Sequence, residues 1–204
     1  MNTLFFQESK YLFLCLCVIM FVSRRNLYIV SSCFAILVCL IYFYRLPENE
    51  LPNYSKNIIT SPAHGTIVDV QTDDKQFYKI VIYLNIFDVH VQWYPTHGTI
   101  TDKIYKKGEF NLAYLLEKSQ YNEKLTTKIK NEFGEVRIDQ IAGQLARRIS
   151  NWGVLKNKVR RGDPMGMIKL SSRVDMYLPK KKVKLLISNN TRVFGNISTI
   201  AQWI

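Results

Sequence analysis

The sequence predicts an α+β protein, mainly β, with a single β-rich domain behind two amino-terminal apolar segments. Three observations carry this reading. Residues 11–22 and 27–44 are apolar runs without a charged side chain. A polar, proline-marked linker follows, Pro47-Glu48-Asn49-Glu50-Leu51-Pro52-Asn53-Tyr54-Ser55. Beyond it, short runs rich in β-branched and aromatic residues recur without the strand–helix alternation that builds a parallel nucleotide-binding sheet.

The first apolar run is short for a bilayer crossing, which takes about 20 residues of helix, and suits a shallow or re-entrant segment; the second is close to that length. Ser23-Arg24-Arg25-Asn26 separates them. Together with the linker they make residues 1–52 an expected membrane-embedded helical hairpin, and the expected localisation is a membrane. A cleaved export signal is the competing explanation. Against it, Lys10 is the only base before the first run, Glu8 lies beside it, and a longer apolar run follows directly. If the second run spans alone, Arg24 and Arg25 face the cytoplasm and the large domain lies across the membrane. If both runs dip into one leaflet, the two ends share a side. Cys15, Cys17, Cys33 and Cys39 all fall in these runs, so residues 53–204 have neither a disulfide to brace them nor thiolate ligands.

In residues 53–204 the expected strands are 66–70, 77–84, 87–93, 128–133, 135–138, 165–170, 174–178 and 183–187, with helices at 112–118 and 145–152. Nearly all of the formal charge of +12 lies here, since the only bases before Asn53 are Lys10, Arg24, Arg25 and Arg45. A basic domain at a membrane is drawn to anionic head groups, by about 1 kcal/mol for each well-placed Lys or Arg. No zinc-finger spacing or aromatic-basic RNA motif accompanies the charge, which argues against nucleic acid.

Several residues could carry chemistry. The strands 165–170 and 174–178 leave room only for a tight bend at Ser171-Ser172-Arg173, where a hydroxyl can attack the carbonyl just before it; an ordinary Ser-Ser turn is the plainer alternative. Within 87–93, alternation sets Val89, Val91 and Trp93 on one face and Asp88, His90 and Gln92 on the other. His90 is a candidate general acid or base, or else a half-buried strand histidine. His64, His90 and His97 have no compact metal-ligand spacing, and no metal is expected. Ser172, His90 and Asp88 lack the Gly-x-Ser-x-Gly elbow of a hydrolase. Gly162-Asp163-Pro164-Met165-Gly166 reads as a turn, without the lysine of a phosphate loop.

Leu170-Ser171-Ser172-Arg173-Val174-Asp175-Met176-Tyr177-Leu178-Pro179 resembles the processing motif Phe-Gly-Ser-Arg-x-Asp-x-Tyr-Leu-Pro of the short, bacterial-type phosphatidylserine decarboxylases. Other blocks match in the same order. Ser61-Pro62-Ala63-His64-Gly65 is similar to Ser-Pro-Ala-Asp-Gly, and Phe87-Asp88-Val89-His90-Val91 falls in the family's Val-His-Val strand. Asn122-Glu123-Lys124 stands for Asn-Glu-Arg. Gln140-Ile141-Ala142-Gly143-Gln144-Leu145-Ala146-Arg147-Arg148-Ile149 is nearly Gln-Ile-Ala-Gly-Leu-Ile-Ala-Arg-Arg-Ile. Three positions depart from the pattern: His64 replaces an acid, Ser171 replaces glycine, and Gln92-Trp93 stands where short members commonly have Asn-Arg.

The resemblance implies a β-rich catalytic domain that cleaves itself between Ser171 and Ser172, making a pyruvoyl cofactor from Ser172. The implied reaction turns phosphatidylserine into phosphatidylethanolamine and carbon dioxide through a Schiff base. It makes His90 the residue associated with decarboxylation and His64 the one at the self-processing position. The implied partners are an anionic phospholipid and a membrane; the two cleavage products stay together, and a homo-oligomer is compatible. The alternative is an unprocessed, non-catalytic, membrane-anchored lipid-binding or scaffold protein, which His64 and Ser171 motivate.

Overall fold

A computed structural model describes residues 3–47, 52–144, 148–169 and 172–204. Leu170 and Ser171, and with them half of the expected cleavage site, lie outside the described residues, as do residues 145–147 of the expected second helix. The chain divides into two compact units, Met1–Glu48 and Asn49–Ile204.

In the first unit, helices α1 (Thr3–Val22) and α2 (Leu27–Phe43) pack against one another. The turn between them is fixed by Asn26, whose side-chain oxygen accepts from the amides of Tyr28 at 3.1 Å and Ile29 at 3.3 Å, capping α2. Phe21, Tyr28 and Phe34 stay exposed on the two helices. The 17 residues of α2 rise about 25 Å at 1.5 Å each, less than the ~30 Å of a bilayer's hydrocarbon. Among the described residues no helix is long and apolar enough to cross a membrane.

The second unit is antiparallel β almost throughout. Its strands are β1 (Ile58–Thr60), β2 (Gly65–Gln71), β3 (Phe77–Leu84), β4 (Val91–Trp93), β5 (Gly98–Lys106), β6 (Lys124–Lys130), β7 (Glu135–Ile141), β8 (Ile149–Asn151), β9 (Lys158–Val159), β10 (Pro164–Ile168), β11 (Ser172–Pro179), β12 (Val183–Leu185), β13 (Arg192–Val193) and β14 (Thr199–Trp203), with one α-helical turn, α3 (Leu116–Ser119), and a 3-10 turn at Lys180–Lys182. Eight of them form one sheet in the order β13-β2-β3-β11-β7-β6-β5-β9; β1-β14-β12 and β4-β10-β8 form two smaller sheets. Residues 172–204 thus supply β11, between β3 and β7, and β14, between β1 and β12.

Alternation along the central strands decides what faces the core. Ile80, Ile82 and Leu84 of β3, Val136 and Ile138 of β7, and Val174, Met176 and Leu178 of β11 join the hydrophobic core. Arg173, Asp175 and Tyr177 face the other way. Arg173 is nevertheless buried, because the Leu116–Ser119 turn lies over it: its guanidinium grips the Asp175 carboxylate in two bonds of 2.6 and 2.7 Å and donates to Ser119 Oγ at 2.8 Å and Leu116 O at 3.1 Å.

Several expectations need correction. Ser172 and Arg173, expected in a tight bend, are the first two residues of β11, paired with Leu84 and Tyr83. The helix expected at 145–152 gives way to strand β8 at its described end, where Ile149, Ser150 and Asn151 pair with Ile168, Met167 and Gly166. The helix expected at 112–118 shrinks to α3, because Asn111 and Asn122 bind the surrounding backbone and draw the segment into turns. The strand expected from residue 87 starts at Val91, since Asp88 and His90 spend their hydrogen bonds closing a turn rather than a ladder. β5, at nine residues the longest strand, was not among the expected ones. Its single buried apolar residue, Ile100, leaves little of the period-two signal.

Candidate active site

Register across the large sheet brings separate stretches of sequence to one end. Leu84, the last residue of β3, pairs with Ser172, the first of β11. On the other edge of β3, Tyr83 pairs with Thr66, so Gly65 and His64 stand at this end too, and Val193 lies opposite Gly65. Beyond β11, Arg173 pairs with Ile141, and Ile141 with Lys124, which brings Ala142 and Asn122-Glu123 alongside. Asn122 locks that corner by donating to the carbonyls of Asn111 and Ala142, each at 2.8 Å. All five matched blocks of sequence therefore converge on the beginning of β11.

Ser172 has no exposed surface. Its hydroxyl donates to the carbonyl oxygen of Ile168 over a long 3.4 Å, and the Ile168 amide donates to the carbonyl of His90 at 3.3 Å. One residue of β10 thus links the serine to the histidine. His90 is likewise fully buried, and its Nδ1 lies 2.8 Å from the carbonyl oxygen of Asp88. A carbonyl only accepts, so Nδ1 carries a proton and the neutral ring presents Nε2 as its basic nitrogen.

The carboxylate of Asp88 turns away from the imidazole. It accepts from the Asn85 amide at 2.8 Å and forms an ion pair with Arg192. This clamp ties the turn before β4 to β13. Gln92, expected on a polar face, is buried because that face meets other amides. Its Nε2 donates to His90 O at 2.7 Å, its Oε1 accepts from Gln140 Nε2 at 2.7 Å, and Gln140 Oε1 accepts from Asn151 Nδ2 at 2.8 Å. Three carboxamides in series therefore support the carbonyl of His90 from within.

His64 is brought to the same end of the sheet but not into a hydrogen bond with Ser172, whose hydroxyl goes to Ile168. Its ring sits against Trp93, centroids 5.2 Å apart, and meets Phe194 edge-on at 5.8 Å. The preceding turn is well held: Trp93 donates its amide to Pro62 O at 2.9 Å, and Ser61 Oγ donates to Ala63 O at 2.7 Å. Gly65 allows the chain to enter β2, with φ of +157° and a position where a Cβ would strike the Tyr83 carbonyl oxygen. His97 is elsewhere, 3.7 Å from Glu132. Among the described residues no three His, Cys, Asp or Glu gather as a metal site.

Sequence reasoning missed Gln140, Asn151 and Arg192. Gln140 was within reach, since counting by twos from Val136 and Ile138 places it on the core face, where a carboxamide needs partners. Arg192 left no local signal, because its partner is distant in sequence.

A buried serine at the start of a central strand, with its hydroxyl on a long bond and a histidine one residue away, suits a precursor that must react with its own backbone. Known proteins are similar to this sequence. The profile of the family described as phosphatidylserine decarboxylase matches residues 36–201. The phosphatidylserine decarboxylase proenzyme of Carboxydothermus hydrogenoformans is 35% identical over 175 residues, which cover 83% of this chain and 82% of that protein. The protein of the same name from Wolbachia pipientis wMel is 37% identical over 184 residues, 84% of this chain and 78% of its own. That from Parabacteroides distasonis is 36% identical over 167 residues, 78% and 76%.

Proposed function

Since the chain belongs to the phosphatidylserine decarboxylase family, we propose that it converts phosphatidylserine to phosphatidylethanolamine and carbon dioxide, using a pyruvoyl group made from its own Ser172. The observation that carries this reading is the link from Ser172 through Ile168 to His90 at the end of the sheet where the matched blocks meet.

Ser172 Oγ gives up its proton and attacks the carbonyl carbon of Ser171; the bond between Ser171 carbon and Ser172 nitrogen breaks, and the amide becomes an ester. Loss of the Ser172 α-proton expels the Ser171 carboxylate. Water then replaces nitrogen at residue 172, and ammonia leaves. His64, in the position of the family's acid, is the proposed base for the first step. An imidazole can accept that proton but offers no fixed negative charge. Once formed, the pyruvoyl group supplies the carbonyl that joins the substrate amine and takes up the electron pair left by carbon dioxide.

His90 holds a proton on Nδ1 through the Asp88 carbonyl, which leaves Nε2 to move a proton at the substrate carbon. The carboxamide series keeps its backbone in place. After cleavage the fragment 172–204 stays bound, because two of its strands, β11 and β14, are each paired on both sides within their sheets. Residues 1–52 serve as the membrane anchor in this reading, with the exposed apolar side chains of α1 and α2 facing lipid.

The test is release of labelled carbon dioxide from phosphatidylserine carrying label in the serine carboxyl. Wild type releases it and Ser172→Ala does not. Equal release by both would overturn the reading.

A further inference from the structure

The turn that leads from β3 to His90 presents two large apolar residues to solvent, Ile86 at 50% exposure and Phe87 at 71%. Leu84, just before them, is fully buried and pairs with Ser172. Hydrogen bonds brace the turn: the Asp88 amide donates to Asn85 O at 3.0 Å, the Phe87 amide to Asn85 Oδ1 at 2.8 Å, and the Asn85 amide to Asp88 Oδ2 at 2.8 Å, with Arg192 on the same carboxylate. The apolar tip is therefore presented on a rigid mount.

The same end of the sheet bears more exposed apolar surface. Phe194 follows β13, where Val193 pairs with Gly65, and Tyr114 meets Tyr83 of β3 edge-on at 6.5 Å. Bases lie among these residues. Lys106, opposite Lys124 at the end of β5, and its neighbour Lys107 are exposed, as is Arg148, whose carbonyl accepts from the Lys169 amide at 3.1 Å close before β11. Of the acids here, Asp88 is paired with Arg192 and Glu123 is buried, while Glu109 and Glu117 are exposed.

We infer that this end of the sheet is a docking surface for an anionic bilayer, with Ile86 and Phe87 entering the headgroup layer beside Ser172. Apolar side chains among bases are what an interfacial site needs, the first entering the boundary of the acyl chains and the second meeting phosphates. The surplus of bases favours an anionic surface over a second copy of this chain, which would bring bases against bases. Resting on the proposed reaction, the inference explains how a lipid head group reaches a fully buried residue without its acyl chains leaving the membrane.

The full chain is reconstituted with vesicles of phosphatidylcholine and phosphatidylglycerol whose acyl chains carry bromine, which quenches nearby tryptophan fluorescence. Phe87→Trp is expected to show quenching beyond that of the three native tryptophans, and Lys75→Trp, at the opposite end of the sheet, none. Equal quenching of both, or of neither, overturns the inference, as does an oligomer that Phe87→Ser dissociates. The second measurement is the ratio of decarboxylation on phosphatidylserine vesicles to that on a monomeric short-chain phosphatidylserine. Phe87→Ser should lower this ratio by about tenfold, and an unchanged ratio contradicts the docking surface. If wild type decarboxylates neither substrate, the proposed reaction fails while the quenching still decides the docking.

Discussion

His90 and Ser172 are joined through a single residue: the Ile168 amide donates to the carbonyl of His90 at 3.3 Å, and the Ile168 carbonyl accepts the Ser172 hydroxyl at 3.4 Å. Moving the backbone of one therefore moves the other. Processing and turnover should share structural determinants that touch neither reacting atom.

Gln140 is the first such determinant. Gln140→Leu strips the partner from Gln92 Oε1 and one of two acceptors from Asn151 Nδ2, which keeps Thr127 Oγ1 at 3.2 Å, and the buried Gln92 oxygen left unpaired costs about 1–3 kcal/mol. Self-cleavage, followed by denaturing electrophoresis, should slow markedly. Gln140→Glu keeps an acceptor for Asn151 and should recover part of the rate. Wild-type cleavage in the leucine variant would show that the carboxamide series does not position the serine.

Arg173, next in the chain to Ser172, tests stability. Its guanidinium is buried and bound to Asp175, Ser119 and Leu116, so Arg173→Ala leaves a buried carboxylate with Lys79, at 3.4 Å, as its remaining ion-pair partner among the described residues. Breaking such a pair costs about 3 kcal/mol, read as a lowered denaturation midpoint. Arg173→Lys keeps the charge but not the two-pronged grip, and should fall between.

Tyr94 links stability to alkaline pH. Burial, aided by the charge of Asp163, pushes its phenol up to about 12. In the unfolded chain the phenol ionises first, near its ordinary pKa of about 10, so its contribution is intact below that pH and is lost as pH rises towards 12. Burial also raises Tyr177, which adds to the same loss. Tyr94→Phe should flatten the decline above about pH 10. The Tyr94 hydroxyl has no hydrogen-bond partner among the described residues, so the variant should also gain about 1 kcal/mol at neutral pH. Unfolding midpoints between neutral and alkaline pH would check both.

His64 is where the chain departs from its family, and its role is separable by pH. If its imidazole takes the Ser172 proton, protonation removes the acceptor and self-cleavage slows as pH falls. His64→Asp should move that decline to lower pH, and His64→Ala should nearly abolish cleavage. Equal cleavage by wild type and His64→Ala at every pH would make the residue a bystander packed between Trp93 and Phe194.

Much of this was legible because local patterns are physical constraints. The run at 77–84 is rich in β-branched and aromatic residues and that at 174–178 alternates, and the structure has β3 and β11 there, side by side. Thr99, Ile100, Thr101, Ile104 and Tyr105 carried the β-branched and aromatic signal of β5, but lysines on both faces masked the alternation. Ser172, His90 and His64 are singled out by short motifs. Arg192, Gln140 and Asn151 act on partners that only the folded sheet brings near, and no local pattern marks such pairs.

The most direct test of the account is the intact mass of the purified wild-type chain, with amino-terminal sequencing of any fragment. The account predicts two fragments, one ending in the Ser171 carboxylate and one beginning at residue 172 with an α-keto acyl group that blocks sequencing. A chain that stays whole and still decarboxylates phosphatidylserine would contradict it.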